Sequence, residues 1–426
     1  MFKITVADGR AENLLLDAMK ARAGAENIEI EAAAREIMDA VKLRGFDAVR
    51  EFSLKFDGAE PREITREEID AAYESCDTAP LSALEKSAEN IRAYQSELLT
   101  KTKIWQSADG VTLGCVVRGI DRLGIYVPGG SAAYPSSVLM NAIPARVAGV
   151  REIIMVTPPT QFLSAQVLAA AKIAEIDRII AVGGAQGIAA LTYGAGFIPQ
   201  VDKIVGPGNA YVAAAKRLAY GVVDIDMVAG PSEVLVIADS SANPRYVAAD
   251  LLSQAEHDKL ASVILLTTSA KIAEKVVAEI EKQTALLPRK EIITESIENY
   301  GAAIVCTDMA KICELANKIA PEHLEICTEN PHEILPYICN AGAVFLGMNT
   351  PEPVGDYVAG PSHVLPTSGS ARFFSPLSVD SFLKKMSVIE YSEQALSASA
   401  ADIIAIARAE GLDAHANSVM VRFEKK

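Results

Sequence analysis

The chain has 426 residues, half of them hydrophobic, so it is long for a single core and burial does not limit its folding. Its 55 acidic against 40 basic side chains give a net charge of −15, which excludes a phosphate backbone or an anionic membrane as the main partner and suits a cationic small molecule. Six cysteines (Cys76, Cys115, Cys306, Cys313, Cys327 and Cys339) have no CxxC spacing, and several lie in apolar runs, so disulfides and a cysteine-rich metal site are not expected.

The opening "MFKITVADGR" lacks the order of a signal peptide, and no apolar run approaches the ~18 residues of a membrane span, so a cytoplasmic protein is expected. The first hundred or so residues read as helices, with capping-box patterns "TREE" from Thr65 and "SALE" from Ser82 opening two of them. From Val111 onward, β-branched runs alternate with Gly/Pro turns and Ala-rich helical stretches, which predicts parallel sheets covered on both faces. Two glycine loops, "IAVGGAQG" (Gly183, Gly184, Gly187) and "IVGPGNA" (Gly206, Gly208), each follow a strand and open a helix, where backbone N–H groups favour a phosphate. Neither matches GxGxxG, and Asp202 falls at the start of the next strand instead of at its end. The loops are therefore compatible with a dinucleotide site or with tight βα turns.

Further along, "VAADLLSQAEHD" places Gln254 and His257 three apart, which on a helix would let them touch one object or form a polar last turn. Of five histidines, His323 adjoins Glu322 in "APEHLEI", and His363 shares a Gly/Pro-rich loop with Asp356 in "VGDYVAGPSHVLPT". His332 opens an ordinary helix, "NPHEIL". After about Ser378 a helical tail is predicted, and there "AEGLDAHANS" carries Glu410 and His415. Two imidazoles, a carboxylate and an amide oxygen from Gln254, His257, Asp356 and His415 form a set suited to Zn²⁺, although no spacing rule connects them.

The stretches "GIYVPGGSAAYPSSVLMNAIPARVAGV", "VGGAQGIAAL", "VGPGNAYVAAAK", "GPSEVLVIAD", "ADLLSQAEHD", "PEHLE", "GDYVAGPSHVLPTSGSARF" and "EGLDAHANS" closely resemble the histidinol dehydrogenase family, from the first helices to the tail. Departures are local, such as "FFSPLS" from Phe373. The resemblance implies oxidation of L-histidinol to L-histidine with two NAD⁺ through an enzyme-held aldehyde, in a zinc-containing homodimer with shared active sites. It implies Gln254, His257, Asp356 and His415 as zinc ligands, with His415 supplied by the other subunit, and Glu322 and His323 as the acid–base pair. Ser232, Gln254, His257, His323, Asp356, Glu410 and His415 would contact the substrate, and Tyr126, Gln186 and Asn209 would contact NAD⁺.

The expected architecture is two Rossmann-like parallel-sheet domains with helical extensions: 1–28 an N-terminal extension, 29–122 with 233–377 the metal and catalytic domain, 123–232 the NAD domain, and 378–426 a tail reaching the partner's site. From other classes, a zinc hydrolase with purely structural glycine loops, or a non-enzymatic small-molecule binder, would use the same residues. A dehydrogenase working through a cysteine thiohemiacetal is disfavoured by the apolar settings of Cys115 and Cys306.

Overall fold

The computed structural model describes residues 2–23, 28–129, 134–159, 164–228 and 230–424. Its strands are β1 (Lys3–Val6), β2 (Arg62–Glu63), β3 (Lys103–Ala108), β4 (Val111–Gly119), β5 (Arg122–Tyr126), β6 (Glu152–Thr157), β7 (Arg178–Ala181), β8 (Lys203–Val205), β9 (Asp224–Ile225), β10 (Glu233–Ala238), β11 (Ser262–Thr267), β12 (Gly301–Val305), β13 (His323–Cys327), β14 (Ala343–Leu346) and β15 (Leu383–Tyr391). Two compact units result: Met1–Leu98 with Ile120–Phe382, and Leu99–Gly119 with Leu383–Lys426.

The first unit holds two six-stranded sheets, ordered β1-β12-β11-β10-β13-β14 and β2-β7-β6-β5-β8-β9. The first sheet is parallel throughout, and the second is parallel apart from β2, which runs antiparallel to β7. Apolar runs such as "EVLVIA" and "SVILLT" are buried at every position, as strands sandwiched between helix layers must be. One face of the first sheet packs under apolar residues of helices Pro244–Ala255, Ala270–Thr284 and Lys290–Tyr300. Its other face is covered by Met309–Ile319 and by Leu15, Leu16 and Met19 of the helix Arg10–Ala23.

The expected grouping of 29–122 with 233–377 differs from the observed packing. Ala34, Ile37, Met38, Val41 and Phe52 join Ile154, Ile180 and Ile188 in one core, so helices 28–44 and 46–56 cover the sheet of residues 122–225. An amphipathic helix buries its stripe on whichever sheet face lacks a cover, and sequence order does not specify which. The N-terminal segment also differs from a purely helical extension, because Lys3–Val6 adds an edge strand beside β12.

Thr65 caps the helix Arg66–Glu74 in a reciprocal capping box with Glu68, as "TREE" predicts. The "SALE" box does not form, since that helix starts at Thr78 and Ser82 lies inside it. Pro80 in the first turn lacks only an N–H that would have no helical partner there.

In the second unit, β15 pairs antiparallel with β4, which pairs with β3, and helices Glu393–Ala409 and Asp413–Met420 pack on each other. The tail expected from 378 is thus not helical at its start: "LKKMSVIEY" is a nine-residue strand. Its alternation is blurred by two lysines on an exposed surface, and only β4 as a pairing partner makes it a strand. Among the described residues, no helix is long and apolar enough to cross a membrane.

Candidate active site

The helix Pro244–Ala255 begins with an Asn243 side chain accepting from the Arg245 N–H and with Pro244 in its first turn. Its apolar stripe (Val247, Ala248, Leu251, Leu252) fixes it on the sheet and carries Gln254 into full burial. The helix stops at Ala255, so His257 stands in the turn that follows, with its N–H donating to the Gln254 carbonyl (3.1 Å). Gln254 therefore points inward while His257 sits exposed at the rim, rather than side by side on one helical face.

Glu322 and His323 enter at the start of β13, directed by Ala320 in the left-handed region (φ 50°) and by Pro321. Both are held by one residue on the neighbouring strand. The Glu233 N–H donates to Glu322 Oε2 (2.9 Å), and the Glu233 carbonyl lies 3.1 Å from His323 Nδ1. The Gln254 amide nitrogen also lies 3.2 Å from Nδ1; where Nδ1–H donates to the Glu233 carbonyl, Nε2 is the basic nitrogen of the neutral ring.

That Nε2 lies 3.7 Å from Asp356 Oδ1 and 4.0 Å from Glu352 Oε1, both on the short helix Glu352–Tyr357. The helix is tied down by the Glu352 N–H donating to Glu325 (2.9 Å) and by Ser253 Oγ donating to Glu352 Oε2 (2.9 Å). His363 is also present: its Nδ1 lies 3.2 Å from the Asp356 carbonyl and its Nε2 lies 3.1 Å from Ser137 Oγ.

Burial lifts the Glu322 carboxyl to about 7, against the pull of His323. Burial alone would depress His323, but Glu322, Asp356 and Glu352 outweigh it and raise the imidazole to about 10. Burial also works against the charge on Asp356, yet His323 and His363 hold that carboxyl down to about 2. Glu352 is raised to about 8 by burial and by Asp356 beside it. At neutral pH Asp356 is thus the anion of the pair, and Glu352 carries the proton.

Gln254 Oε1 and His323 Nε2 are among the buried polar atoms that have no protein hydrogen-bond partner. Such atoms cost free energy unless a ligand satisfies them. His323, Glu352 and Asp356 could also hold a metal together, their candidate ligand atoms lying within 4.8 Å of one another. An orphaned amide oxygen beside an ionised carboxylate and imidazole nitrogen fits a divalent cation of the zinc type.

The glycine loops follow the carboxyl ends of β7 and β8 and open helices Gly184–Tyr193 and Ala210–Ala219. Several amides at these N-termini are already engaged. Asp57 accepts from the Gly183 N–H (3.2 Å) and the Gln186 side chain (3.0 Å), Tyr126 accepts from the Gly184 N–H (3.2 Å), and Asn209 accepts from Tyr211 and Val212. Gly206, at φ 106°, leaves no room for a Cβ, which would lie 2.2 Å from the Tyr126 carbonyl. Asp202 binds the N–H groups of Asp121 and Arg122 and so links strands. The carboxylate beside the first loop is Asp57, the C-cap of the helix Phe46–Phe56.

Ser232 directly precedes β10, and its carbonyl accepts from the Ser262 N–H (2.9 Å). Glu410 and His415 belong to the second unit, where both are exposed, Glu410 closing one helix and His415 in the next. Glu233, Glu352, Ser137 and Asp57 were not singled out from sequence. The signal for Glu233 was a charged residue opening an otherwise apolar strand. For Glu352 it was an acid four residues before Asp356 in "PEPVGD".

A sequence model of the family described as histidinol dehydrogenase matches residues 20–423. A histidinol dehydrogenase from Clostridium acetobutylicum is 53% identical over 410 residues, covering 95% of each chain. One from Syntrophotalea carbinolica is 47% identical over 429 residues, with 100% of both chains covered. The crystal structure of histidinol dehydrogenase from Elizabethkingia anophelis superposes with a TM-score of 0.94 at 37% identity, covering 99% of this chain and 98% of that one.

Proposed function

The chain belongs to the histidinol dehydrogenase family, oxidoreductases of histidine biosynthesis, and from that membership we propose how its own residues divide the work of two successive NAD⁺-dependent oxidations. The observation that carries the reading is the pair Glu322 and His323, buried side by side against the backbone of one residue of the adjacent strand, with His323 Nε2 free of any protein hydrogen bond.

In the first oxidation, His323 Nε2 takes the hydroxyl proton of L-histidinol while hydride passes from its carbon to NAD⁺, leaving the aldehyde, NADH and one proton. The aldehyde has no hydride to give at neutral pH until water adds. Glu322, held near neutrality by burial, removes a proton from that water as it adds to the carbonyl carbon, while His323 returns the proton it took from the alcohol to the carbonyl oxygen, giving the hydrate. His323 then takes a proton from the hydrate as the second hydride leaves, giving the carboxylic acid.

Gln254, His257, Asp356 and His415 of a second subunit would hold Zn²⁺, which when bound orients the substrate's nitrogens and neutralises Asp356, favouring the uncharged imidazole. Glu410 and Ser232 would contact the substrate, and Tyr126, Gln186 and Asn209 the NAD⁺. With several of the helix N-terminal amides occupied, the nucleotide would lie across the glycine loops, and Asp57 would accept from a ribose hydroxyl.

The deciding experiment supplies L-histidinol and NAD⁺ and follows absorbance alongside product. Two NADH per histidine are expected. Histidine formed with no NADH, or NADH stopping at one equivalent with aldehyde accumulating, would overturn the reading.

A further inference from the structure

Glu233 has a second set of contacts, made by its side chain. Its side chain forms an ion pair with Arg22, from the last turns of the helix Arg10–Ala23, and each side chain is only 2% exposed. Arg22 also donates to the Leu260 carbonyl (2.7 Å) and lies over the Tyr300 ring, 5.6 Å from its centroid. Burial raises the Glu233 carboxyl, and Arg22 is the main opposing influence. An ion pair this deeply buried yields little net stability, because desolvation offsets the attraction, but it does fix position. Here the fixed residue is the one whose N–H holds Glu322 and whose carbonyl faces His323 Nδ1.

We propose that Arg22 and Glu233 are positioning residues for catalysis: the buried ion pair locks the residue whose backbone N–H and carbonyl align the Glu322 carboxylate and the His323 ring. The proposal rests on the reading that these two residues carry the chemistry. Without the guanidinium, the Glu233 side chain is left without its buried counter-ion and must shift or take up a proton. The first peptide of β10 moves with it, and both catalytic groups follow. A displaced carbonyl also releases Nδ1, so the ring no longer presents Nε2 in a single tautomer. Because His323 acts in both oxidations, both should slow together.

The test uses the full-length, metal-loaded enzyme and its Arg22→Met, Arg22→Lys and Arg22→Met/Glu233→Gln variants. Unfolding temperature, NAD⁺ binding by calorimetry, and rates of alcohol and of supplied aldehyde oxidation are measured. Arg22→Met is expected to lower kcat by ~10–100-fold in both half-reactions, with KM values changed by less than ~3-fold, as misalignment near the chemistry does. Arg22→Lys, which keeps the charge, should be at least ~5-fold faster than Arg22→Met. Should Arg22→Met fail to fold, the double variant, which removes both charges, is expected to fold and show the same loss.

A folded Met or double variant with normal kcat overturns the proposal. So does a lysine variant as slow as the methionine one, or a loss confined to KM. His323→Asn is run alongside. If it turns over normally, the catalytic reading itself falls, and the proposal with it. If it is inactive while Arg22→Met is unimpaired, only the positioning role is refuted.

Discussion

Glu322, His323, Asp356 and Glu352 share a small buried volume, and their proton affinities are set by one another more than by residue type. Glu322 illustrates this: burial moves its titration from the ordinary carboxylate range to about 7. Only its ionised form can activate water, so oxidation of supplied histidinaldehyde should fall as pH drops below about 7, by about tenfold per unit. A flat profile from pH 5 to 8 would count against Glu322 as that base. Glu322→Gln should slow the aldehyde step by ~10²–10⁴-fold while sparing the alcohol step, measured in single-turnover experiments with each substrate. The unsatisfied Gln254 oxygen argues for a cation, so thorough chelation should abolish turnover and added Zn²⁺ restore it. Full activity in metal-free protein would end that assignment.

At the scale of elements, the proposed catalytic pair lies at the amino end of β13, beside the amino end of β10, whereas parallel sheets usually bind ligands at the carboxyl ends. The helix Pro244–Ala255 accounts for part of this. It runs back against the strands, so its C-terminal carbonyls, with their partial negative charge, arrive beside Gln254 and favour a cation there. The glycine loops occupy the usual carboxyl-end position on the other sheet. The second is clamped: Gly206 donates to Asp226 (2.8 Å) and its carbonyl accepts from Lys216 Nζ (2.8 Å). Gly206→Ala should therefore destabilise the fold by at least ~1–3 kcal/mol, since a left-handed backbone and a collision with Tyr126 coincide. Thermal unfolding with calorimetric NAD⁺ binding reads this directly. An alanine variant with normal stability and nucleotide affinity would show the loop to be slack.

For the whole molecule, His415 in the second unit poses the question of shared sites. If the tail completes a partner's site, two inactive proteins, His257→Ala and His415→Ala, should regain activity when their subunits exchange. Random exchange makes half the dimers mixed, and each mixed dimer has one intact site. About a quarter of the original sites should return. No recovery, with exchange shown independently, would place the tail in its own subunit's site.

By itself, the sequence determined the layered α/β class, because fully apolar strands alternating with helices must be covered on both faces. It also determined the family, and through that resemblance it pointed to Glu322, His323, Gln254 and Asp356 as candidates for the chemistry. Tertiary structure decided the rest. Helix grouping depended on which sheet face was open, so helices 28–44 and 46–56 went to the second sheet. The strand Leu383–Tyr391 existed only once β4 lay beside it. Glu233, Glu352, Ser137 and Asp57 acquired their places through contacts made across 27 to 226 residues of chain, a range over which local periodicity carries no information.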